Sequence, residues 1–415
     1  MKYAHLADLH LGSWRDQKMR DLSTQAFLKA IAQCLEQEVD FILFSGDLFN
    51  TSLPPLDTLK IVTKSLKELQ EKNIPIYAIA GSHDFSPSGK TMLDVLENAG
   101  LLINVCKGGV DEQNNLHLKF TINPKTKTKI TGMLGKKGLL DKVYYQNLSL
   151  SDLEQESGYK IFLFHTTLSE LKPKHLEKME SQPLSFLPQN FNYYAGGHVH
   201  HPSLIEVENY GTLTYPGALF PNNFAELEQY GKGGYYMVKV EEANLEQINP
   251  KQDITWIPLE IIKHQSISFN CNHKNTEQVN SEFRRMVSAM EVKDSLITVR
   301  LFGKLKSGKA SEIDFKNFFE QLYQRGAYFI MKNTSQLESE EFEEINLVST
   351  STEQVEEQLI KEHLQQNKLF DLETEFNLTK ALLSALNTTK REGETGADFQ
   401  KRIESETNQL INIEG

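Results

Sequence analysis

Five short stretches of this chain place side chains able to bind a metal or move a proton directly after an apolar run. Asp8-Leu9-His10 follows Tyr3–Ala7, Gly46-Asp47 follows Phe41–Ser45, and Gly81-Ser82-His83-Asp84 follows Ile76–Ala80. His165 follows Ile161–Phe164, and Gly197-His198-Val199-His200 follows Tyr193–Gly196. Short apolar runs of this kind read as buried strands. In D-x-H and H-x-H both donors lie on one side of an extended segment, because side chains alternate. Glycines beside them let the backbone approach an ion. Imidazole and carboxylate donors together suit Mn²⁺, Fe²⁺ or Zn²⁺ and not Ca²⁺. There are more donors than one ion can use. Two ions roughly 3.5–4 Å apart, sharing a carboxylate, would use them, and such pairs hydrolyse phosphate esters. A lone histidine is more often structural than a ligand; five such stretches in series carry a stronger signal.

In open α/β folds ligands bind beyond the carboxyl ends of strands, so the five loops are expected to converge. The spacing predicts helices over Leu22–Leu35, Pro55–Glu71 and Ser88–Asn98, alternating with strands over Asp40–Ser45 and Pro75–Ala80. Leu116–Thr121 and Lys129–Gly135 read as a hairpin pair. Strands over Lys160–Phe164, Tyr193–Gly196, Ser203–Val207, Thr212–Tyr215 and Gly234–Val240 follow with few helices between them, which suggests a second sheet. The expected fold class is α/β, a two-sheet sandwich flanked by helices, over residues 1–262. Residues 263–333 read as a small β-α-β-α-β domain: strands Ser266–Cys271, Ser295–Phe302 and Tyr328–Lys332 around helices Glu277–Met290 and Ile313–Arg325. Residues 334–352 read as an acidic linker, and residues 353–415 as amphipathic helices near Glu353–Gln365, Leu378–Leu386 and Ala397–Leu410. Their apolar residues are too few for an independent core.

At 415 residues the chain exceeds one ordinary core. The net charge of −12 argues against a surface coated in basic residues, yet seven lysines fall between Leu116 and Lys142 with Asp141 the single acid. The three cysteines lie far apart with no C-x-x-C spacing, which argues against a Cys-ligated zinc site and a disulfide framework. No apolar run has membrane-spanning length and the first residues lack the form of a secretory leader, so a cytoplasmic protein with no membrane partner is expected. No G-x-x-x-x-G-K-[ST] occurs, so any ATPase must come from another chain.

The stretches DLH, GDLF, GSHD, a strand-end His and GHVH, in this order, resemble the calcineurin-like metallophosphoesterase superfamily. HLADLHLG, GDLFN, GSHDF, GGHVHHP and YPGAL resemble more closely the nuclease subunit of the double-strand-break repair complex, the Mre-eleven/SbcD family, with an archaeal-like cast. The resemblance implies two metal ions, Mn²⁺ foremost, with Mg²⁺, Fe²⁺ or Zn²⁺ as alternatives. It implies Asp8, His10 and His200 on one ion, His165 and His198 on the second, and Asp47 between them. His83 would act at the scissile phosphate, and Asp84 would orient His83 by accepting its other ring N–H. Two positions depart from the family pattern. Ser82 stands where an asparagine ligand is usual and would be a weaker metal ligand; Asn50 stands where members often carry a histidine near the DNA end.

The resemblance further implies an exo- and endonuclease acting on duplex and single-stranded DNA ends. The small domain would be the family's capping, DNA-binding domain. A homodimer would form through the helices near Pro55–Glu71 and Ser88–Asn98, whose apolar residues exceed one packed face. The last helices would dock an SMC-like coiled-coil ATPase of the Rad-fifty/SbcC type. A phosphatase or cyclic-nucleotide phosphodiesterase built on the same site, and a weakened DNA-end scaffold, are the competing readings.

Overall fold

The computed structural model describes residues 1–86, 88–241, 251–339, 370–391 and 393–411, with residues 357, 360, 361 and 364. It divides into two compact units, residues 1–340 and 341–415.

The first unit is built on two six-stranded sheets. One runs in the order Gln252–Leu259, Gly233–Val240, Lys2–Leu6, Phe41–Ser45, Ile76–Ile79, Ile103–Asn104. The other runs Ser203–Val207, Gly211–Tyr215, Tyr193–Gly197, Lys160–His165, Lys129–Gly132, Thr121–Ile122. The central strands are parallel and buried on both faces, which is why they read as unbroken apolar runs. Alternation sorts their side chains between layers. Tyr3, Phe41, Leu43, Tyr77, Ile79, Ile161, Leu163, Tyr193 and Ala195 fill the space between the sheets. Ala4, Leu6, Ile42, Phe44, Ile76 and Ala78 face the helix layer, with Gln17–Glu36 and Leu56–Glu71 on that side. Phe162, Phe164 and Tyr194 face outward from the second sheet into a further core.

Register brings the motif-bearing strand ends level. Leu6 pairs with Phe44 and Ser45 with Ile79 in the first sheet, and His165 pairs with Gly197 in the second. The loops after all five strands therefore open at one edge of the sandwich.

A three-stranded parallel sheet, Lys263–Asn270, Ser295–Leu305 and Phe329–Ser339, carries helices Thr276–Ala289 and Phe315–Gln324. It has its own core around Phe269, Phe283, Val299 and Phe318. Leu296, Tyr328 and Phe329 join the main core instead, so this module is continuous with the sandwich rather than a free body.

Two expectations differ. Leu116–Leu118 does not pair with Lys129–Gly132. It pairs with Gly108–Val110, while Lys129–Gly132 pairs with Thr121–Ile122 and, in parallel, with Lys160–His165. Asn123 explains the tighter turn: its side-chain carbonyl accepts from the amides of Lys125 and Thr126, which folds the chain back at once. The strand Gln252–Leu259, at the open edge of the first sheet, was not anticipated. Among the described residues of the second unit, helices span Leu372–Leu386 and Gly396–Ile411. Most of the acidic linker, nearly all of the helix near Glu353–Gln365, and Glu392 lie outside the described residues.

Candidate metal centre

The strand-end loops converge. Asp8, His10 and His200 bring one donor atom each within 4.8 Å of one another; so do Asp8, Asp47 and His165, and so do His10, Asp47 and His83. Asp8 and Asp47 thus link three overlapping sets. His10 Nε2 and His200 Nε2 are 3.1 Å apart, and each faces a carboxylate at 3.6 Å, Asp47 Oδ2 and Asp8 Oδ1 respectively. His165 Nε2 lies 3.3 Å from Asp47 Oδ2.

Backbone conformation sets these side chains. Asp8, His10, Asp47 and His198 all adopt positive φ, at 50°, 40°, 51° and 81°. Positive φ at non-glycine residues is sparsely populated and collects at functional sites. The neighbouring glycines fill crowded positions. A Cβ on Gly197 would come within 2.0 Å of the Ser45 carbonyl oxygen, and one on Gly46, itself at φ +89°, within 2.3 Å of His165 Nδ1.

Outer contacts choose tautomers. His165 Nδ1 donates to the Ser45 carbonyl at 2.8 Å, which leaves Nε2 aimed inward. His5 supports the same residue from below, its Nε2 2.9 Å from Ser45 Oγ. His200 Nδ1 faces Glu226 Oε1 at 2.8 Å. The His198 amide donates to both Asp8 oxygens at 3.0 Å. The His198 ring lies 5.2 Å, centre to centre, from His165 and lines the open cleft. Ser82 Oγ donates to Asp47 Oδ2 at 3.4 Å.

Glu226 was not among the residues singled out from the sequence. A signal existed: Asn223-Phe224-Ala225-Glu226 has the spacing of a helix start. Asn223 does cap the helix Phe224–Tyr230 by accepting from the Glu226 amide.

The expected pairing of Asp84 with His83 is not what forms. His83 Nδ1 donates to the Asn50 carbonyl at 2.8 Å. Asp84 turns the other way and accepts from the amides of Gly81, Asp47 and Phe49 at 2.8, 3.0 and 3.3 Å. The turn at Gly81–Asp84 points consecutive side chains to opposite sides, so Asp84 faces the loops behind the site. Asn50 positions His83 through its backbone rather than its side chain.

The residues fit divalent ions. His10 Nδ1 and His165 Nε2 are buried without a hydrogen-bond partner; His165 Nε2 lies beside the buried Asp47 carboxylate, whereas His10 faces the carboxylates through Nε2. Buried polar groups are normally satisfied, so an orphan beside a buried carboxylate marks an expected ligand. Charge follows the same geometry. Burial drives His10 and His198 down to about 4, so both are neutral donors. Burial also opposes the charge on His165, but Asp47 overrides it and holds His165 up to about 9. Likewise Asp8 and Glu226 outweigh burial and hold His200 up to about 10. Against burial, His165 and His10 hold Asp47 well below the usual carboxylate range.

Ion binding should therefore depend on pH. If His165 and His200 bind an ion, they do so through a nitrogen that carries a proton near neutrality, and binding must displace it. Adding Mn²⁺ in weakly buffered solution should acidify it. Apparent affinity should rise with pH from about 6 up to about 9, where His165 loses its proton, and further toward 10 for His200. An affinity flat across that window would show that these imidazoles are not the donors.

Residues 1–202 match the family model described as calcineurin-like phosphoesterase. The DNA double-strand break repair protein Mre11 of Methanococcus maripaludis is 29% identical over 257 residues, 56% of this chain and 61% of that protein. Mre11 of Methanocaldococcus jannaschii is 27% identical over 340 residues, 78% of this chain and 80% of that one. The SbcD component of the SbcCD nuclease of Staphylococcus epidermidis is 27% identical over 287 residues, 64% of this chain and 72% of that protein. The chain spans 61%, 50% and 55% of the length of the first three curated relatives it matches. Residues 1–202, which carry the converged carboxylates and imidazoles, are thus similar to the calcineurin-like phosphoesterases, and the chain is similar to Mre11 double-strand break repair proteins and to the SbcD subunit.

Proposed function

We propose that this protein is a Mn²⁺-dependent DNA nuclease that hydrolyses phosphodiesters at DNA ends. The observation that carries the reading is the convergence of Asp8, His10, Asp47, His165 and His200, with the buried His165 Nε2 left without a hydrogen-bond partner. One ion would be held by Asp8, His10 and His200, the other by His165 and His198, with Asp47 between and Ser82 at its edge. Divalent ions there supply Lewis acidity toward water and phosphate. The chain's own residues do the rest. Asp8 and Asp47 are fixed by backbone amides, those of His198 and His83 respectively. Ser45 and Glu226 hold the Nδ1 atoms of two imidazoles, so that their Nε2 atoms face the site. His83, its Nδ1 tied to Asn50, turns Nε2 toward a cleft of about 450 Å³ and delivers a proton to the leaving oxygen.

The finer reading includes partners. Leu56 and Val95, 82% and 56% exposed on the helices Leu56–Glu71 and Met92–Asn98, support a homodimer through that face, whereas Val62, Leu66, Leu69, Leu93 and Leu96 are spent on the core. Exposed Leu372, Leu383, Leu386 and Ile411 on the C-terminal helices support docking of an SMC-like coiled-coil ATPase. Residues 263–333 would cap the site and hold DNA. Lys125 and Lys129 are already paired with Asp40 and Glu156, so DNA contact in the basic stretch would fall to its other lysines. No described helix is long and apolar enough to cross a membrane; a cytoplasmic location is part of the proposal.

The test is cleavage of end-labelled linear duplex DNA by the purified chain with and without Mn²⁺, beside Asp8→Ala. Metal-dependent cleavage that Asp8→Ala abolishes is expected. Rapid turnover of small phosphomonoesters or cyclic nucleotides with no cut DNA would replace the nuclease by a phosphatase or phosphodiesterase. No cleavage of either, with metal binding weak, would favour a DNA-end scaffold.

A further inference from the structure

The outer support of His200 leads away from the sandwich into the small module. Glu226, which faces His200 Nδ1, is the third residue of the helix Phe224–Tyr230. Seven residues make about two turns, and a helix this short depends on tertiary contacts for its position. One guanidinium holds its outer side. Arg300 Nε donates to Glu228 Oε1 and Oε2 at 3.0 and 2.8 Å, and Nη2 donates to Oε2 at 2.5 Å. The same guanidinium carbon lies 5.2 Å from the centre of the Phe224 ring. Arg300 therefore grips the first and fifth residues of a helix whose third residue orients a metal-site imidazole.

The ladder beside Arg300 is irregular: Arg300 pairs with Asn333 and Phe302 with Gln336, so the extra residue lies in Phe329–Ser339, the strand next to the one that carries Arg300. Such irregularities recur beside active sites. The Arg300 and Glu228 side chains are 19% and 17% exposed, so the fork is largely shielded from water and salt. A planar, five-donor guanidinium supplies a rigidity here that an ammonium would not.

We propose that Arg300 is a positioning residue for the metal centre: through Glu228 and Phe224 it fixes the helix that presents Glu226 to His200, so the small module sets how tightly the Asp8–His10–His200 corner holds a divalent ion. The proposal rests on the metal-centre reading above, and the experiment separates the two. Mn²⁺ is titrated into the full chain and free Mn²⁺ is followed by its electron paramagnetic resonance signal, with thermal midpoints measured in parallel. Loss of an outer-shell partner commonly weakens metal binding 10–100-fold, and at one further remove Arg300→Ala and Glu228→Ala should each weaken it about 10-fold. The reversed pair Arg300→Glu with Glu228→Arg should recover most of that loss, and Arg300→Lys little of it. Glu226→Gln is the reference. If it weakens binding while Arg300→Ala stays within about twofold of the parent, the tether is structural only and the proposal is overturned. If Arg300→Ala weakens binding but the reversed pair recovers nothing and both melt early, the loss belongs to the fold, which also overturns it. If Glu226→Gln and His200→Ala both change nothing, the His200 corner does not hold the ion, and the metal-centre reading falls with the proposal.

Discussion

His83→Asn should lower DNA cleavage by about 10²–10⁴-fold while leaving Mn²⁺ affinity and the thermal midpoint close to the parent values. The ring is held by the Asn50 carbonyl on Nδ1, and the His83 amide donates to Asp47 Oδ1 at 2.7 Å. It stands edge-on to His10, 4.9 Å between centres, and half open to the cleft. That geometry leaves Nε2 for the proposed proton transfer on the side of the cleft. Asparagine keeps a polar group of similar reach but cannot supply a proton to a departing oxygen. Packing changes little, so stability should hold. The same ring also lies in a cluster with His10 and Asp47 that could close around an ion. Single-turnover cleavage of labelled duplex, set beside an Mn²⁺ titration, separates the two roles. Lost turnover with intact binding supports the proton donor. Loss of both would make His83 a metal ligand, and unchanged turnover would remove it from the chemistry.

Asp84→Ala should cost about 3–5 kcal/mol of folding stability, because three buried amides lose their acceptor and each unsatisfied group costs about 1–3 kcal/mol before relaxation. The amides of Gly81, Asp47 and Phe49 belong to two strand-end loops, so Asp84 stitches them together beneath the site. Burial and the neighbouring Asp47 charge push the Asp84 carboxyl up to about 7, against the amide donors that favour its charged form. Asp84→Asn should lose less. Its carbonyl can replace Oδ2, which serves Gly81 and Asp47, while its NH₂ would oppose the Phe49 amide. Urea unfolding followed by far-ultraviolet circular dichroism measures both variants. A loss below about 1 kcal/mol for Asp84→Ala would mean that water replaces the carboxylate and that the stitch is not structural.

Most of the site's donors were legible in the sequence for a physical reason. Parallel strands buried on both faces must be apolar along their length, so polar residues such as Asp8, Asp47 and His165 stand out where each strand ends. A parallel sheet then has to gather those ends at one edge. Asn223 and Glu226 carried a helix-start signal, but nothing local linked them to His200. The remaining decisions were tertiary. Asp84 follows His83 in the chain and so looked like its partner, yet a tight turn sends neighbours apart and backbone amides claimed it. His83 is oriented by a main-chain carbonyl, which no residue type encodes. The Asp8 carboxylate is held by the amide of His198, 190 residues away, and Arg300 reaches Glu228 across 72 residues. Such contacts depend on how loops and layers stack. Residue type and period therefore determined the strands and most of the chemical inventory, whereas only the packed sandwich decided which groups hold that inventory in place.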